Sequence, residues 1–287
     1  MARIKVLDTV TAGKIAAGEV VERPASVVKE LMENSLDAGS KCVSVYLAEG
    51  GKRVIRVVDD GCGISHEDAP IVFLRHSTSK ISTEEDLLNI RTLGFRGEAL
   101  ASISSVARVT IRTKEKGAIT GTLVRAVPAT RPEVSPDGCP EGTSIEVGDL
   151  FFNTPVRQKF LRSAQSEYGK VLEVFKRTAL INPGVRFSLA HGSSRPVEAP
   201  AGDLRERVAS LFGPEITGKI MEVENTFVKG LIGTHELNYS TAKGLYTYVN
   251  GRHVRDRTIN RAVLDGYSTL LEGSRYPFAV LDVRVPP

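Results

Sequence analysis

The sequence predicts an α+β protein of two domains, and three observations support this fold class. Residues 26–38 show the apolar periodicity of a helix, and β-branched runs at 42–47 and 54–58 follow directly, a pattern typical of helices layered on a sheet. The chain has 287 residues, 41% of them hydrophobic, which is long for one compact unit. The Gly-, Ser- and Pro-rich stretch 192–203 predicts a linker. We therefore expect two domains, at 1–198 and 203–287.

The first elements follow from local patterns. The helix 26–38 has its apolar residues along one side, and Gly39 stands where a C-terminal cap belongs. The turn residues 49–52 join the next two runs into a hairpin. Ser65, with Asp68 three positions later, resembles a capping box and predicts a short helix.

The rest of the chain alternates loops, strands and helices. The polar, glycine-punctuated stretch 76–97 predicts a functional loop with a short helix near 83–90. The first domain continues with strands at 106–113, 118–126 and 144–147 and with one or two helices over 156–181. The second domain is expected to contain helices at 204–212 and 256–271 and strands at 226–232, 245–249 and 278–285.

Composition excludes several classes of protein. A net charge of +4 permits an anionic partner without requiring one. The three cysteines are widely spaced and form no Cys-x-x-Cys motif, which argues against a disulfide framework or a zinc knuckle. The sequence shows no signal peptide and no membrane span of roughly 20 apolar residues, so we expect an intracellular protein with no membrane partner.

Several common catalytic motifs are absent from the sequence. No Gly-Lys pair is followed by Ser or Thr, so there is no Walker A loop. His66 occupies the third glycine position of a dinucleotide fingerprint, and neither Gly-x-Ser-x-Gly nor His-Glu-x-x-His occurs. P-loop, Rossmann, hydrolase-elbow and zinc-protease chemistry are therefore excluded.

A polar stripe on the first helix is the first positive signal. Glu30, Asn34 and Asp37 recur at i, i+4 and i+7, within roughly 60° of one another around the helix. An Asn carbonyl is a hard ligand for Mg²⁺, and a carboxylate one turn away can orient and deprotonate water. The alternative is an ordinary solvated helix face.

The second signal directly follows the second strand. Asp59-x-Gly61-x-Gly63 places a carboxylate at the strand end and two glycines where backbone approaches something closely. Such a carboxylate can accept a hydrogen bond from an exocyclic amine like that of adenine. A plain Asp-Gly turn is the alternative.

Two further signals lie downstream. The run Gly94-Phe95-Arg96-Gly97-Glu98-Ala99-Leu100 leads into a helix, so its backbone N–H groups favour phosphate binding, and Lys80 and Arg96 can add charge. A flexible loop with a glycine cap is equally consistent with this run. Thr143 begins a later strand, where Thr is usually only a β-former.

Together these residues resemble a known family. The four signals stand in the order of the motifs of the GHKL ATPases, the superfamily of gyrase B, histidine kinases and the large heat-shock chaperone. Longer sequence segments around these motifs resemble the MutL mismatch-repair family, and the resemblance extends over essentially the whole chain. The segments that carry this resemblance are Ile15–Pro24, Glu33-Asn34-Ser35-Leu36-Asp37-Ala38-Gly39, GFRGEALASI and Asn153-Thr154-Pro155.

The resemblance implies a GHKL (Bergerat) α/β sandwich that binds ATP and Mg²⁺, followed by a smaller ribosomal-protein S5-like α+β domain. It implies that Glu30 is the general base, that Asn34 is the Mg²⁺ ligand and that Asp59 reads adenine. It also implies that the segment up to about Glu19 straps across a partner subunit. The remaining implied nucleotide-binding residues are Asp37, Gly61, Gly63, Thr78, Lys80, Gly94, Phe95, Arg96, Gly97, Glu98, Leu100 and Thr143, with Lys80 also assigned to catalysis.

The resemblance further implies a Val-Asn-Val-His-Pro-x-Lys motif in the second domain, whose lysine contacts the γ-phosphate. The sequence ends at Pro287 before such a motif, so binding is expected to survive better than turnover. Non-specific DNA binding is implied through two basic sets, for which a solvated basic face is the alternative. These sets are Arg157, Lys159 and Arg162 in the first domain, and Arg252, Arg255 and Arg257 in the second.

The resemblance thus implies a Mg²⁺-dependent ATPase that acts as a nucleotide-driven clamp in DNA mismatch repair. Its implied partners are DNA, a second copy of itself or a paralogue, a mismatch-recognition protein and downstream repair enzymes. Its implied location is the bacterial nucleoid or, in a eukaryote, the nucleus. Two rivals remain, a non-hydrolysing DNA clamp stabilised by nucleotide and the ATPase region of a type II topoisomerase.

Overall fold

A computed structural model describes the backbone of most of the chain, in two units. The described residues are 8, 13, 15, 17, 18, 20–80, 92–94 and 97–286. The first unit lies within residues 1–175 and 187–197, and the second within 176–186 and 198–287. The second unit thus includes a segment, 176–186, that lies ahead of the predicted boundary.

The first unit is built on an eight-stranded sheet. Its spatial order is β5-β4-β3-β6-β2-β1-β7-β8, and the six strands from β5 to β1 pair antiparallel with their neighbours. The strands are β1 (Cys42–Ala48), β2 (Val54–Asp59), β3 (Arg108–Lys114), β4 (Gly121–Ala126), β5 (Glu133–Asp137), β6 (Gly142–Gly148), β7 (Arg186–His191) and β8 (Val197–Ala199).

Four helices accompany this sheet in the chain. They are α1 (Pro24–Asp37), α2 (Ala99–Val106), α3 (Pro155–Phe160) and α4 (Ala164–Ile181). α1 confirms the first predicted helix and begins two residues earlier, because Pro24 takes the first helical position, where a missing N–H costs nothing. It packs against β1 and β2. Its apolar side is buried, through Val27, Val28, Leu31 and Met32.

Alternation along the strands places one face of the sheet in the core. In β2, Ile55 and Val57 are buried, whereas Arg56 and Val58 are exposed. The same alternation holds in β1 and β3, as expected for an antiparallel sheet with one covered face. α1 lies on the covered side of β2, so its polar stripe ends beside the strand end that carries Asp59.

Three expectations are corrected or fall outside the described residues. The hydroxyl of Ser65 accepts from the N–H of Asp68 at 3.0 Å, but residues 66–73 form turns, so the predicted capping-box helix is wrong. The middle of the predicted linker 192–203 is instead a strand, because β8 at 197–199 lies next to β7 in the sheet. The predicted helix near 83–90 lies outside the described residues.

The second unit has a five-stranded sheet in the order β13-β12-β15-β10-β9. Its helix α5 (Leu204–Phe212) confirms the predicted 204–212 and is capped by Asp203 and Glu206 in a capping box. The predicted helix 256–271 is shorter, at α6 (Arg257–Gly266). The strands are β9 (Ile220–Glu224), β10 (Val228–Gly233), β11 (Asn238–Tyr239), β12 (Leu245–Val249), β13 (Arg252–His253), β14 (Tyr276–Pro277) and β15 (Ala279–Val283).

A fully buried arginine ties the second unit together. The guanidinium of Arg207 on α5 donates to four backbone carbonyl oxygens, those of Ala179, Pro183, Val185 and Pro200. Burial lowers the pKa of Arg207 to about 10. The arginine therefore serves as a hydrogen-bonding hub for three chain segments.

Candidate nucleotide site

The polar stripe of α1 meets a lysine from a distant loop. The ammonium of Lys80 donates to Asn34 Oδ1 at 2.9 Å and to Asp37 Oδ2 at 2.6 Å. The Lys80 side chain is 20% exposed and that of Asp37 is 8% exposed. Helical spacing places the two acceptors on one face, so a single cation bridges them.

The carboxylate of Asp37 also organises the backbone that follows. Its two oxygens accept from the N–H groups of Leu93, at 2.9 Å, and Gly94, at 3.1 Å. A Cβ added at Gly94 would lie 3.5 Å from Lys80 Nζ and 3.8 Å from Asn34 Oδ1. The start of the glycine-rich run therefore lies directly over the α1 stripe.

Gly97 and Glu98, which follow in this run, lie against the segment that carries Lys80. The Lys80 N–H donates to Thr78 Oγ1 at 3.1 Å. Gly97 has a φ of +62°, and a Cβ there would lie 2.7 Å from the Ser77 carbonyl carbon, so only glycine fits. Glu98 lies 3.5 Å from His76 Nδ1.

The end of α2 nearest the loop holds the last predicted residue of the run. Leu100 is half-buried in the first turn of α2. Phe95 and Arg96 lie outside the described residues. The predicted roles of these three residues stay predictions.

The carboxylate of Asp59 forms a second polar centre at the end of β2. Its Oδ2 accepts from the hydroxyl of Ser35 at 2.8 Å, and its Oδ1 accepts from the N–H of Gly61 at 2.9 Å. The carboxylate of the next residue, Asp60, has a structural role. Its Oδ1 accepts from the N–H groups of Lys41 and Cys42 and so fixes the start of β1.

Close backbone approach explains the glycines after Asp59. A Cβ on Gly61 would lie 2.8 Å from both Ala38 Cβ and Ser40 Oγ. Gly63 has a φ of +77° and would place a Cβ 2.6 Å from the carbonyl carbon of Lys114. A side chain at Gly63 would require the backbone of Lys114 to move, and one at Gly61 would collide with the side chains of Ala38 and Ser40.

Thr143 lies beside Asp59 on the adjacent strand. The two residues are register partners in the β2–β6 pair, so their side chains share one face of the sheet. The buried hydroxyl of Thr143 is 3.1 Å from that of Thr113, which also accepts from the N–H of Ile64 at 2.9 Å. Thr143 is therefore one end of a short hydroxyl chain on β6 and β3.

Glu30, the other carboxylate of the stripe, has a different partner from Asp37. Glu30 Oε1 accepts from the Lys29 ammonium at 3.1 Å, and Lys29 also reaches Glu33 Oε2 at 2.9 Å. Burial lowers the pKa of Lys29, but its hydrogen bonds and the charges of Glu33 and Glu30 outweigh burial and raise it above its usual value. The Glu30 side chain is 26% exposed, one turn from Asn34.

Sequence reasoning missed three residues of this site. Ser35 links α1 to Asp59, Thr113 links β3 to Thr143, and Lys29 neutralises Glu30. Ser35 sits inside the Glu33-Asn34-Ser35 run, and its position next to Asn34 was a usable signal. Thr113 carried no signal, because threonine within a strand is ordinary.

The predicted DNA-binding residues differ in accessibility. Lys159 and Arg162 are exposed in the first unit, and all three arginines of the second set, Arg252, Arg255 and Arg257, are exposed in the second. Arg157 is half-buried, and its guanidinium lies so close to Gly18 that a Cβ there would be 3.1 Å from Arg157 Cζ.

Two kinds of feature are absent from the described residues. Within that part of the chain, no helix has the length and hydropathy needed to cross a bilayer. Over the same residues, no three His, Cys, Asp or Glu side chains converge as a preformed metal centre.

Comparison with known proteins agrees with this arrangement. The family described as "Histidine kinase-, DNA gyrase B-, and HSP90-like ATPase" matches residues 22–130, and the family described as "DNA mismatch repair protein, C-terminal domain" matches residues 208–287. The DNA mismatch repair protein MutL of Geobacter sulfurreducens is 47% identical over 99% of this chain and 48% of its own length. MutL of Caldanaerobacter subterraneus subsp. tengcongensis is 44% identical over all of this chain and 50% of its own.

Solved structures extend the likeness to three dimensions. The Aquifex aeolicus MutL ATPase domain complexed with ADP is 32% identical with a TM-score of 0.71, covering 93% of this chain and 94% of that one. The N-terminal domain of a DNA repair protein is 25% identical with a TM-score of 0.81, and the match covers 96% of this chain and 87% of that one. The chain spans about half the length of the curated relatives it matches and nearly all of the Aquifex ATPase domain, and it therefore belongs to the MutL family of DNA mismatch repair proteins, with the GHKL ATPase fold.

Proposed function

We propose that this chain binds ATP with Mg²⁺ along α1 and hydrolyses it, as the switch of a nucleotide-driven clamp in DNA mismatch repair. One observation carries the proposal. Asn34 and Ser35 are adjacent on α1, yet Asn34 accepts from Lys80 whereas Ser35 donates to Asp59. These adjacent residues of α1 thus connect a group that binds a cation, at Asn34, with a carboxylate, at Asp59. A nucleotide needs both, the first for its triphosphate with Mg²⁺ and the second for its base.

The Asp59 end suits adenine. A carboxylate has about four lone-pair positions, and Ser35 and Gly61 use two of those on Asp59. The remaining capacity can accept from the 6-amino group of adenine, whereas guanine carries at the same ring position a carbonyl oxygen, which cannot donate. Gly61 and Gly63 let the chain after Asp59 pack tightly against Ala38, Ser40 and Lys114, which holds this carboxylate at the strand end. Thr143 lies across from Asp59 in register and supports the base from the neighbouring strand.

The Asn34 end suits Mg²⁺ and phosphate. Mg²⁺ prefers oxygen ligands and commonly takes only one or two from protein, with phosphates and water completing its shell. The Lys80 ammonium already bridges two such oxygens, so the donor set accepts a cation. When bound, Mg²⁺ would hold and neutralise the phosphates through Asn34. Lys80 would then leave these oxygens and contact the phosphates.

Glu30 is placed to act on water. It lies one turn before Asn34 on the same side of α1 and is partly exposed. In this role its carboxylate orients the attacking water and accepts a proton from it. Lys29 holds that carboxylate in place through its ion pair. The N–H of Gly94 donates to Asp37 and Gly97 packs on Ser77, and in this role other backbone N–H groups of the run 94–100 would donate to the phosphates.

Clamp action extends the proposal to partners. Nucleotide binding would order the loop and drive pairing with a second copy or a paralogue. Exposed Lys159 and Arg162, with Arg252, Arg255 and Arg257 in the other unit, support DNA binding through phosphates. The MutL relatives are DNA mismatch repair proteins, and the proposal extends to a mismatch-recognition protein and downstream repair enzymes as further partners and to the bacterial nucleoid as the place of action.

Nucleotide binding is tested by matched substitutions at adjacent carboxylates. Asp59→Asn keeps one acceptor oxygen, which the N–H of Gly61 occupies, and replaces the other acceptor with an NH₂ donor, so ATP affinity should fall about tenfold or more and preference over GTP should shrink. Asp60→Asn keeps an acceptor oxygen for Lys41 and Cys42 and should bind ATP like the parent. Equal affinities for ATP in both variants would refute the adenine site.

Hydrolysis is tested separately at Glu30. Glu30→Gln should leave ATP affinity nearly unchanged and reduce turnover about 100-fold or more, because general-base catalysis typically contributes 10²–10⁴. Phosphate release by the parent, Asp60→Asn and Glu30→Gln chains should be compared at saturating ATP. Equal rates in all three would leave binding standing and overturn the assignment of Glu30.

A further inference from the structure

The short helix α3 presents its large apolar side chains to solvent. Phe160 is 79% exposed and Val156, one turn earlier, is 69% exposed. None of the six residues of α3 is buried. Neighbouring contacts hold the helix in place, since Asn153 donates to the carbonyl of Ser105 and the Thr154 N–H donates to that of Phe151. An aromatic ring this exposed on an ordered helix favours a function in recognition over packing.

The chain segment around Phe160 carries cations and no acid. Residues 150–166 contain Arg157, Lys159 and Arg162 and no Asp or Glu. The flanking acids are already engaged. Asp149 pairs with Arg108 at 2.7 Å, and the buried Glu167 accepts from the N–H of Arg162 at 3.0 Å. Exposed Lys159 and Arg162 therefore carry net positive charge beside the ring.

We propose that Phe160 is a stacking platform for an unpaired base of single-stranded DNA, whose phosphates are held by Lys159 and Arg162. This inference rests on the proposed DNA binding and names the form of DNA that α3 prefers. Aromatic rings interleaved with cations bind single strands because every unstacked base offers a flat face and every nucleotide a phosphate. In duplex DNA the bases are already stacked, so the ring gains nothing there.

A second copy of the chain is the competing occupant of this surface. In a symmetric pair, residue i of one copy meets residue j of the other, and only residues on the two-fold axis meet their own equivalents. Placed on that axis, the cations beside Phe160 would repel their equivalents with no acid among residues 150–166 to offset them, and like charges across an interface are costly. Charge complementarity therefore favours a polyanion.

The test compares oligo-dT with a duplex of the same length by fluorescence anisotropy, at several salt concentrations. Phe160→Ala should weaken oligo-dT binding about tenfold and leave duplex binding and the salt slope unchanged, because it removes stacking and no charge. Phe160→Trp should retain single-strand binding. Phe227→Ala is the matched control, because Phe227 is also exposed, at 63%, and lies in the second unit.

Lys159→Ala separates this inference from DNA binding itself. It should weaken both forms of DNA and reduce the salt slope by about one unit. If Phe160→Ala lowers both affinities equally, or neither, the stacking role is overturned whereas DNA binding stands through Lys159. If Phe160→Ala instead lowers the mass of a nucleotide-bound dimer with oligo-dT affinity unchanged, α3 is a protein interface and the proposal fails. Failure of the parent chain to bind either DNA overturns the proposed DNA function.

Discussion

Replacing Lys80 with methionine should affect stability and metal binding in opposite directions. The ammonium makes two hydrogen bonds in a largely buried position, at 2.6 Å to Asp37 and 2.9 Å to Asn34. Hydrogen bonds to charged groups contribute about 1.5–3 kcal/mol each. Asp37 would keep its backbone donors at Leu93 and Gly94, so we expect a net loss of about 2 kcal/mol in the free energy of unfolding.

The same free energy opposes metal binding in the parent chain. A divalent ion must displace the ammonium from these oxygens, so Lys80→Met should bind Mn²⁺ without nucleotide about thirtyfold more tightly, since 1.4 kcal/mol is tenfold. The affinity for Mg²⁺ and ATP together should fall, because a phosphate contact is lost.

Urea unfolding with and without Mn²⁺, and direct Mn²⁺ titration, measure the two effects of Lys80→Met. Lys219→Met removes an exposed ion pair of 3.2 Å with Glu236 and should change neither quantity much. Mn²⁺ affinity that is unchanged or weaker in Lys80→Met would refute the reasoning.

Three further predictions concern the loop and the second unit. Gly97→Ala should lower the thermal unfolding temperature and weaken ATP binding, because its Cβ would collide with the backbone of Ser77 at a φ of +62°. Gly94→Ala should fold normally, since the nearest atom to its Cβ would be 3.5 Å away. Equal unfolding temperatures for the two variants would contradict this prediction. Arg207→Met leaves four carbonyls without their donor and should cost about 3–5 kcal/mol in urea unfolding, and a cost below about 1 kcal/mol would argue against the hub. Burial and the charges of nearby arginines lower the pKa of His253 to about 4, from about 6.5 in the unfolded chain. The free energy of unfolding should therefore decline as pH falls from about 6.5 to about 4, and His253→Gln should make that decline shallower.

Sequence patterns anticipated the elements whose signal is local. α1 was predicted from its apolar periodicity, and α5 was predicted at 204–212. Residues 192–203 were predicted as a linker from their Gly, Ser and Pro content, and the strand β8 within them depends on pairing with β7. The Ser65 motif forms its hydrogen bond without a helix, since one cap cannot supply the apolar packing that a helix needs.

The sequence predicted which residues form the candidate site, but not which of them contact each other. The sequence indicated Asn34, Asp37 and Asp59, but the ion pair of Asp37 with Lys80 spans 43 positions and depends on how the loop folds back over α1. The burial of Arg207 was equally invisible, because an arginine in an amphipathic helix is normally solvated. Arg157 was predicted as a DNA contact, yet the structure places its guanidinium against Gly18.

The most direct test of the central claim is whether one nucleotide spans both ends of the α1 site. ATP affinity should be measured with and without Mg²⁺ in the parent, Asp59→Asn, Asn34→Ala and double-variant chains. We predict that Asp59→Asn lowers ATP affinity by the same factor with and without Mg²⁺. Asn34→Ala should lose only the increase in ATP affinity that Mg²⁺ causes, and the double variant should show both effects. Retained Mg²⁺ enhancement in Asn34→Ala, or unchanged affinity in Asp59→Asn, would contradict the account.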